Sequence, residues 1–373
     1  MSPKADKKDG SLDSLKALVQ SITSLITQLE NSVHSIALDK AVGETHSAAE
    51  PVDAFSLAHD AATLVKAHTT KLSLLIINEP FTPSAIIKVL RELAEGPIPA
   101  IASAVELCAT ETYTSVVRQE LAWRAYRVLK ELRSFAELIP LSGKSLSADG
   151  KNGVNGEKGS ILATGVIWAA CDEVIRLRQL GAGGLLAMKV EEYRDTLQDI
   201  LEELKEWGDE TEDDDDDDEV EHETELEGDD DHLSAQQMID DLMTSQRIPR
   251  DDPDKIRERL ESCLKKLRLT TLLCTAIVKR RIKSLPSLPA KGETPIPQRL
   301  DNLFPILKRL PHRFEEIACA FYELDPEEID QAMDDCFSDA LTASELAKSP
   351  WEGDKDGFTE WAEKFQISIK KPD

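Results

Sequence analysis

The sequence predicts an all-α protein of two antiparallel helical bundles joined by an acidic, disordered insert. Three observations carry this expectation. Apolar residues recur at steps of three and four in almost every long segment, which places them on one face of a helix. Aromatic residues make up only 5% of the 373 residues and there are only 17 glycines, which argues against a turn-rich β protein. Between residues 209 and 231, seventeen acids accumulate with no lysine or arginine among them, in a chain of net charge −27. Self-repulsion and desolvation oppose the burial of such a stretch, so it reads as a solvated linker. The expected division is a disordered N-terminus (1–10), a first bundle (11–208, with a flexible loop at 141–159), the acidic linker (209–232) and a second bundle (233–370).

The elements follow in order. Leu15, Leu18, Ile22, Leu25 and Leu29, continued by Val33 and Ile36, mark a first helix that Ser11 or Asp13 can cap. Phe55, Ala58, Ala62, Val65, Thr69, Leu72 and Ile76 mark a second, broken after Asn78. Pro83 suits the first turn of a third helix, which Gly96 and Pro97 stop. The stripe Leu121, Ala125, Val128, Leu132, Phe135, Ile139 indicates one long helix over 99–139. At about 40 residues it would reach roughly 60 Å, long enough to expect a bend or a break. Five glycines between Gly143 and Gly159 make a flexible connection. Helices at 160–180 and 185–207 flank a break at Gly181 to Gly184, and Val190, Tyr193, Leu197, Leu201 and Leu204 face inward on the second.

Beyond the acids, a short helix is expected at 233–245. Asp252, Pro253 and Asp254 offer a cap and a first-turn proline for a helix over 254–284, striped by Leu260, Leu264, Leu267, Thr271, Cys274 and Val278. Pro286, Pro289, Pro295 and Pro297 make a stiff connector. Helices at 297–309, 312–324, 326–347 and 355–369 complete the reading.

Several function classes lack support. The six cysteines are scattered without a close pair, so they read as buried free thiols of a reducing compartment rather than disulfides or a zinc site. The N-terminus has no apolar core of a secretory signal, and no apolar run approaches the roughly 20 residues of a spanning helix. Leu141 to Ser145 reads LSGKS, but Leu138 stands where a phosphate-binding loop needs its first glycine. Gly181 to Gly184 follows no strand, so it reads as a helix break. His59 and His68 lie nine residues apart on one helix, and His222 and His232 fall among the acids without a calcium-loop pattern. The acids Glu327, Glu328, Asp330, Asp334, Asp335 and Asp339 read as a solvated face, not as paired catalytic carboxylates. No catalytic residue, metal or cofactor is expected, and the chain reads as non-enzymatic.

The strongly basic helix is the more informative candidate. Lys279, Arg280, Arg281 and Lys283 crowd its last turns, where positive charge complements the helix dipole. The same residues suit a nuclear-import patch, or a dock for the chain's own acids. Duplex DNA is disfavoured, because the acidic surroundings repel phosphates. The residues expected to meet a protein partner are Leu260, Leu264 and Leu267 as an apolar seam, Lys279, Arg280 and Arg281 as cations, and Asp213, Asp214, Asp215, Asp216, Asp217 and Asp218 as a decoy for a basic region.

The run from Thr164 to Val174 (TGVIWAACDEV), the helix from Val190 to Trp207 with LQDILEEL at 197–204, the acidic block, and the Leu260–Val278 helix with its proline-rich exit resemble the cyclin-D-interacting (GCIP) family over residues 15–350. That resemblance implies an all-α protein of two bundles like the up-down modules of vinculin and talin, with no catalysis. It also implies partners of the D-type cyclin or helix-loop-helix transcription-factor kind, restrained in nucleus and cytoplasm to limit cell-cycle progression or transcription. The glycine-rich loop at 143–159 and the length of the acid run depart from that pattern. The competing expectation is a cytoskeletal or adhesion scaffold.

Overall fold

A computed structural model describes residues 6–38, 53–146, 157–209, 247–290 and 294–371. Among them every regular element is helical, as the apolar periodicity requires. The helix expected at 233–245 and the residues 210–232 of the acidic stretch lie outside the described residues. The chain forms two compact units: residues 1–186 with 287–301, and residues 187–286 with 302–373.

The first unit begins with α1 (Asp6–Ala37), α2 (Ala54–Ile77), α3 (Pro83–Glu95), α4 (Pro97–Leu107) and α5 (Ser115–Glu137). Helix α1 packs chiefly on α5, and α2 on α4, with α3 touching both α1 and α2. The inward positions of α1 are Leu15, Val19, Ile22, Ile26 and Val33. Leu18, Leu25 and Leu29 are only half-buried, because each lies one residue before a position of the buried stripe and so falls on its flank, and that stripe also includes a charged residue. That residue is Glu30, which accepts from Arg133 Nε of α5 at 2.8 Å.

The single helix expected at 99–139 is two helices. The chain breaks at Cys108–Thr114 so that Tyr113 can enter the core. Its hydroxyl donates to Asp53 Oδ1 at 2.9 Å and accepts from Ala54 N at 3.1 Å, at the start of α2. Thr114, at φ 118°, caps α5 by accepting from Val117 N. Asp301 Oδ1 accepts from both the amide and the hydroxyl of Ser115 at 2.8 Å, and Ala290 N donates to Thr112 O at 2.8 Å. The proline-containing segment 287–301 is thereby clipped onto the first unit. LSGKS has a structural use too: Ser145 donates to Glu79, and Leu146 N donates to Ile76 O at the end of α2.

Helix α6 (Glu157–Asp209) runs through the boundary between units and is interrupted at Gly181, whose φ of 65° and ψ of 172° suit glycine alone. One residue makes the break, and the helix resumes at once.

The second unit contains α7 (Ile256–Ile277), a π-helical turn (Val278–Ile282), α9 (Pro326–Lys348), α10 (Gly357–Ile369) and most of α8 (Ile296–Glu323). Asp252 caps α7 by accepting from Ile256 N at 2.7 Å and Arg257 N at 2.9 Å, so Pro253 precedes the helix. The two helices expected at 297–309 and 312–324 are one. Each interior proline costs a helix about 3 kcal/mol, yet Pro305 and Pro311 are carried within α8. A continuous buried stripe of Leu300, Leu303, Phe304, Leu307, Leu310, Phe314, Ile317 and Phe321 outweighs that cost. Trp207 packs on Phe321 and Tyr322, tying the end of α6 to α8.

Candidate functional site

The residues singled out on the basic helix separate into a core set and a surface set. Leu260 and Leu267 are buried in the second unit, and Leu264 is half-buried, so the leucine seam serves the protein's own core. Arg281 is also interior, 1% exposed. Lys279 and Arg280 are exposed, and neither has an ion pair with a described residue. The aspartates 213–218 lie outside the described residues.

Arg281 is held by all five of its donors. Nε donates to Ala347 O at 2.6 Å and Nη2 to Lys348 O at 2.7 Å, which satisfies the unpaired carbonyls at the end of α9. Nη1 and Nη2 also donate to Asp356 at 2.7 and 3.0 Å, and Nη1 to Arg280 O. Asp356 is itself the cap of α10, in a reciprocal box with Thr359. The Arg281 guanidinium beside it, followed by the Thr359 bonds, holds the Asp356 carboxyl well below the usual carboxylate range. The guanidinium lies 4.4 Å from the Phe358 ring centre. Trp351 Nε1 donates back to Arg281 O at 2.6 Å.

Of the acids expected to form a solvated face on α9, Glu327, Glu328, Asp330 and Asp334 are exposed, Asp335 and Asp339 are half-buried, and three of the six are in ion pairs with arginines. Asp330 accepts both arms of Arg259 at 3.0 Å, and Arg313 lies 3.3 Å from both Asp335 and Asp339. Burial pushes the Cys171 and Cys274 thiols up to about 12 and raises those of Cys108, Cys263 and Cys336, so these sulfurs stay protonated. Among the described residues no group of three His, Cys, Asp or Glu side chains is placed to hold a metal, and no helix is long and apolar enough to cross a membrane.

One apolar surface feature is not marked as a site by the sequence reading. The N-terminal half of α6 lies antiparallel to α2: Ser160 Oγ meets Ser73 Oγ at 3.4 Å, Lys66 pairs with Asp172, and Arg178 reaches Asp60 at 3.7 Å. Ile167, Ala170, Cys171, Val174 and Leu177 face inward from it. The opposite face carries Ile161 (56% exposed), Leu162 (69%), Val166 (39%) and Trp168 (41%). Gly165 and Ala169 lie between them, and an added Cβ at Gly165 would meet nothing within 4 Å. Positions 161, 162, 165, 166 and 169 fall on one helix face, with Trp168 at its edge under the Lys66 ammonium, 5.8 Å from the ring centre. Two turns of helix therefore offer only apolar side chains, and Asp172 and Glu173 close the patch. Contiguous apolar surface rimmed by charge is the kind of surface through which proteins meet partners, ligands or membranes. The signal was present in the sequence as ILATGVIWAAC at 161–171, which supplies apolar residues all round the helix rather than on one stripe.

Comparison with known proteins bears out the family resemblance over part of the chain. Residues 58–210, which run from α2 to the end of α6, match the family model described as "Grap2 and cyclin-D-interacting, N-terminal". An uncharacterized protein of Schizosaccharomyces pombe is 25% identical over 328 residues, covering 85% of each chain.

Proposed function

We propose that this chain, which matches the family model described as "Grap2 and cyclin-D-interacting, N-terminal" over residues 58–210, is a non-catalytic regulator that acts by binding another protein. The supporting observation is the apolar face of α6, formed by Ile161, Leu162, Val166 and Trp168 within the family-matched segment. A partner's amphipathic helix would bury its apolar stripe on that face, with Gly165 and Ala169 allowing close approach of the two backbones. The family description points to a D-type cyclin, or its counterpart in the host cell, as the first partner to test. A helix-loop-helix transcription factor is the second. Restraint of such a partner in nucleus and cytoplasm is the activity we assign.

The test is a binding titration of the purified chain with a purified D-type cyclin. Leu162→Asp and Val166→Asp should each weaken the complex by about tenfold or more, as loss of a central apolar anchor does. Their helical circular dichroism should stay as in the parent, since both side chains are exposed. Unchanged affinity in both variants would remove the α6 face from the reading. In a parallel pull-down from cell lysate, recovery of actin- or membrane-associated proteins in place of cyclins or transcription factors would favour the scaffold alternative.

A further inference from the structure

Apart from the α6 face, a cleft lies in the second unit. Leu272, Thr275, Ala276, Lys279 and Arg280 project from one side of α7 and the π-helical turn, at steps of three, one, three and one. Gly357, Phe358 and Trp361 of α10 form the opposite wall, and together they line a cleft of about 320 Å³. That volume lies at the low end of the roughly 300–1,000 Å³ typical of ligand clefts and suits one or two side chains rather than a cofactor.

The cleft has an apolar floor with two cations on its rim. Leu272 is 55% exposed. Phe358 is fixed between the Arg281 guanidinium and Trp361, whose rings are 5.5 Å apart and stacked, and Trp361 stacks in turn on Phe365. The aromatic wall is thus held in place before anything binds. Arg281, anchored inward, leaves its neighbours Lys279 and Arg280 directed outward, free of ion pairs with described residues. The acids of α10 do not line the cleft: Glu363 pairs with Lys348 at 3.5 Å, and Glu360 is not among the lining residues. Two cations without ion pairs to described residues thus stand beside an open aromatic pocket, in a chain whose net charge is −27. A π-helical turn at this spot is a further mark of function, because such turns cost regular hydrogen bonding and concentrate at working sites.

We propose that this cleft binds an acidic, amphipathic peptide segment of a partner protein, with one large apolar side chain against Phe358, Trp361 and Leu272 and carboxylates on Lys279 and Arg280. The charge complementarity selects the occupant, and the aromatic wall sets the register.

The test is fluorescence anisotropy of the full chain with a fluorescein-labelled peptide bearing leucine at every third or fourth position and glutamate between. Binding is expected, weakened about tenfold or more by the double variant Lys279→Glu with Arg280→Glu and by Trp361→Ala. It should weaken steeply with salt, as rim charges are screened over about 10 Å at 0.1 M. Val166→Asp, on the α6 face, should leave it unchanged, which separates this proposal from the function proposed above. Because Trp361→Ala can disturb α10, the charge reversal is decisive, with an unchanged urea midpoint as its control. No binding, or equal binding in the charge-reversed chain, overturns the proposal. So does equal binding of a glutamate–serine peptide, which would indicate charge alone. Preference for anionic lipid vesicles over the peptide would overturn it as well. Binding that appears only after removal of residues 210–231 would assign the cleft to the chain's own acids and overturn an external occupant.

Discussion

Arg281 and Asp356 face each other through two parallel hydrogen bonds of 2.7 and 3.0 Å, and between them they join the end of α9 to the start of α10. The arginine covers the last carbonyls of one helix, while its carboxylate partner caps the first amides of the next. Replacing Arg281 with methionine keeps most of the volume but removes the side-chain donor to Ala347 O and leaves Lys348 O to the Thr359 hydroxyl alone, at 3.0 Å. A loss of about 2–4 kcal/mol is expected, in line with breaking a buried charged pair from one side. A urea midpoint series against the parent chain measures it. Arg281→Lys should recover little of that loss, since one ammonium cannot make both parallel bonds and reach the two carbonyls.

The same pair makes stability depend on acidity in a defined direction. The folded state holds Asp356 ionised more firmly than the unfolded chain, because Arg281 lowers its pKa below the ordinary 3.8. Its contribution is therefore fully present above that ordinary value and is lost as the pH falls through the depressed native value. Asp356→Asn should be less stable than the parent at neutral pH, with the gap narrowing below about pH 4. Parallel urea titrations from neutral to acid pH measure the gap. A difference that stays constant throughout would show that the carboxylate charge does not contribute.

Two glycines of α6 should respond oppositely to alanine. Gly181 holds φ 65° and ψ 172°, a region closed to side chains, so Gly181→Ala should destabilise by about 1–3 kcal/mol even though space is free around it. Gly165 sits in regular helix facing open space, so Gly165→Ala should stabilise by up to about 1 kcal/mol through helix propensity. Thermal melts of the two single variants separate these effects.

The thiols offer a direct probe of packing. Cys319 is exposed, whereas Cys108, Cys171, Cys263, Cys274 and Cys336 are buried. A thiol reagent should modify one cysteine rapidly in the native chain and all six after denaturation. Rapid native modification of Cys171 would mean that α6 opens away from α2.

The helices were legible because each long segment repeats its apolar residues with helical spacing, and α3, bracketed by Pro83 and Gly96, was read with the residues it has. The break before α5 was not, since Tyr113 and Thr114 act through Asp53 and Val117, one of them 60 residues away. The continuity of α8 was obscured because Pro305 and Pro311 carry a local penalty, while the burial that overrides it is tertiary. Arg281 was within reach of the sequence. The cadence Leu267, Thr271, Cys274, Val278 lands on residue 281 at its next step, which marks that arginine as inward while leaving Lys279 and Arg280 outside. Charge drew attention to the three together, and periodicity alone separates them. The α6 patch stands out in the sequence only as a family motif, because a helix apolar on all sides reads as core until its neighbours are known.

The chain passes from one unit to the other after residues 186, 286 and 301. A protease cut within 210–246 would therefore not liberate two self-sufficient halves. The upstream piece would keep Trp207 and Glu203, which grip Phe321 and Tyr322 on the downstream piece, and the downstream piece would keep Asp301, which holds Ser115 on the upstream one. Each fragment would hold parts the other needs, so the nicked molecule should travel as one particle until denaturant separates it. Truncations intended to isolate a function should follow those three crossings rather than the aspartate run.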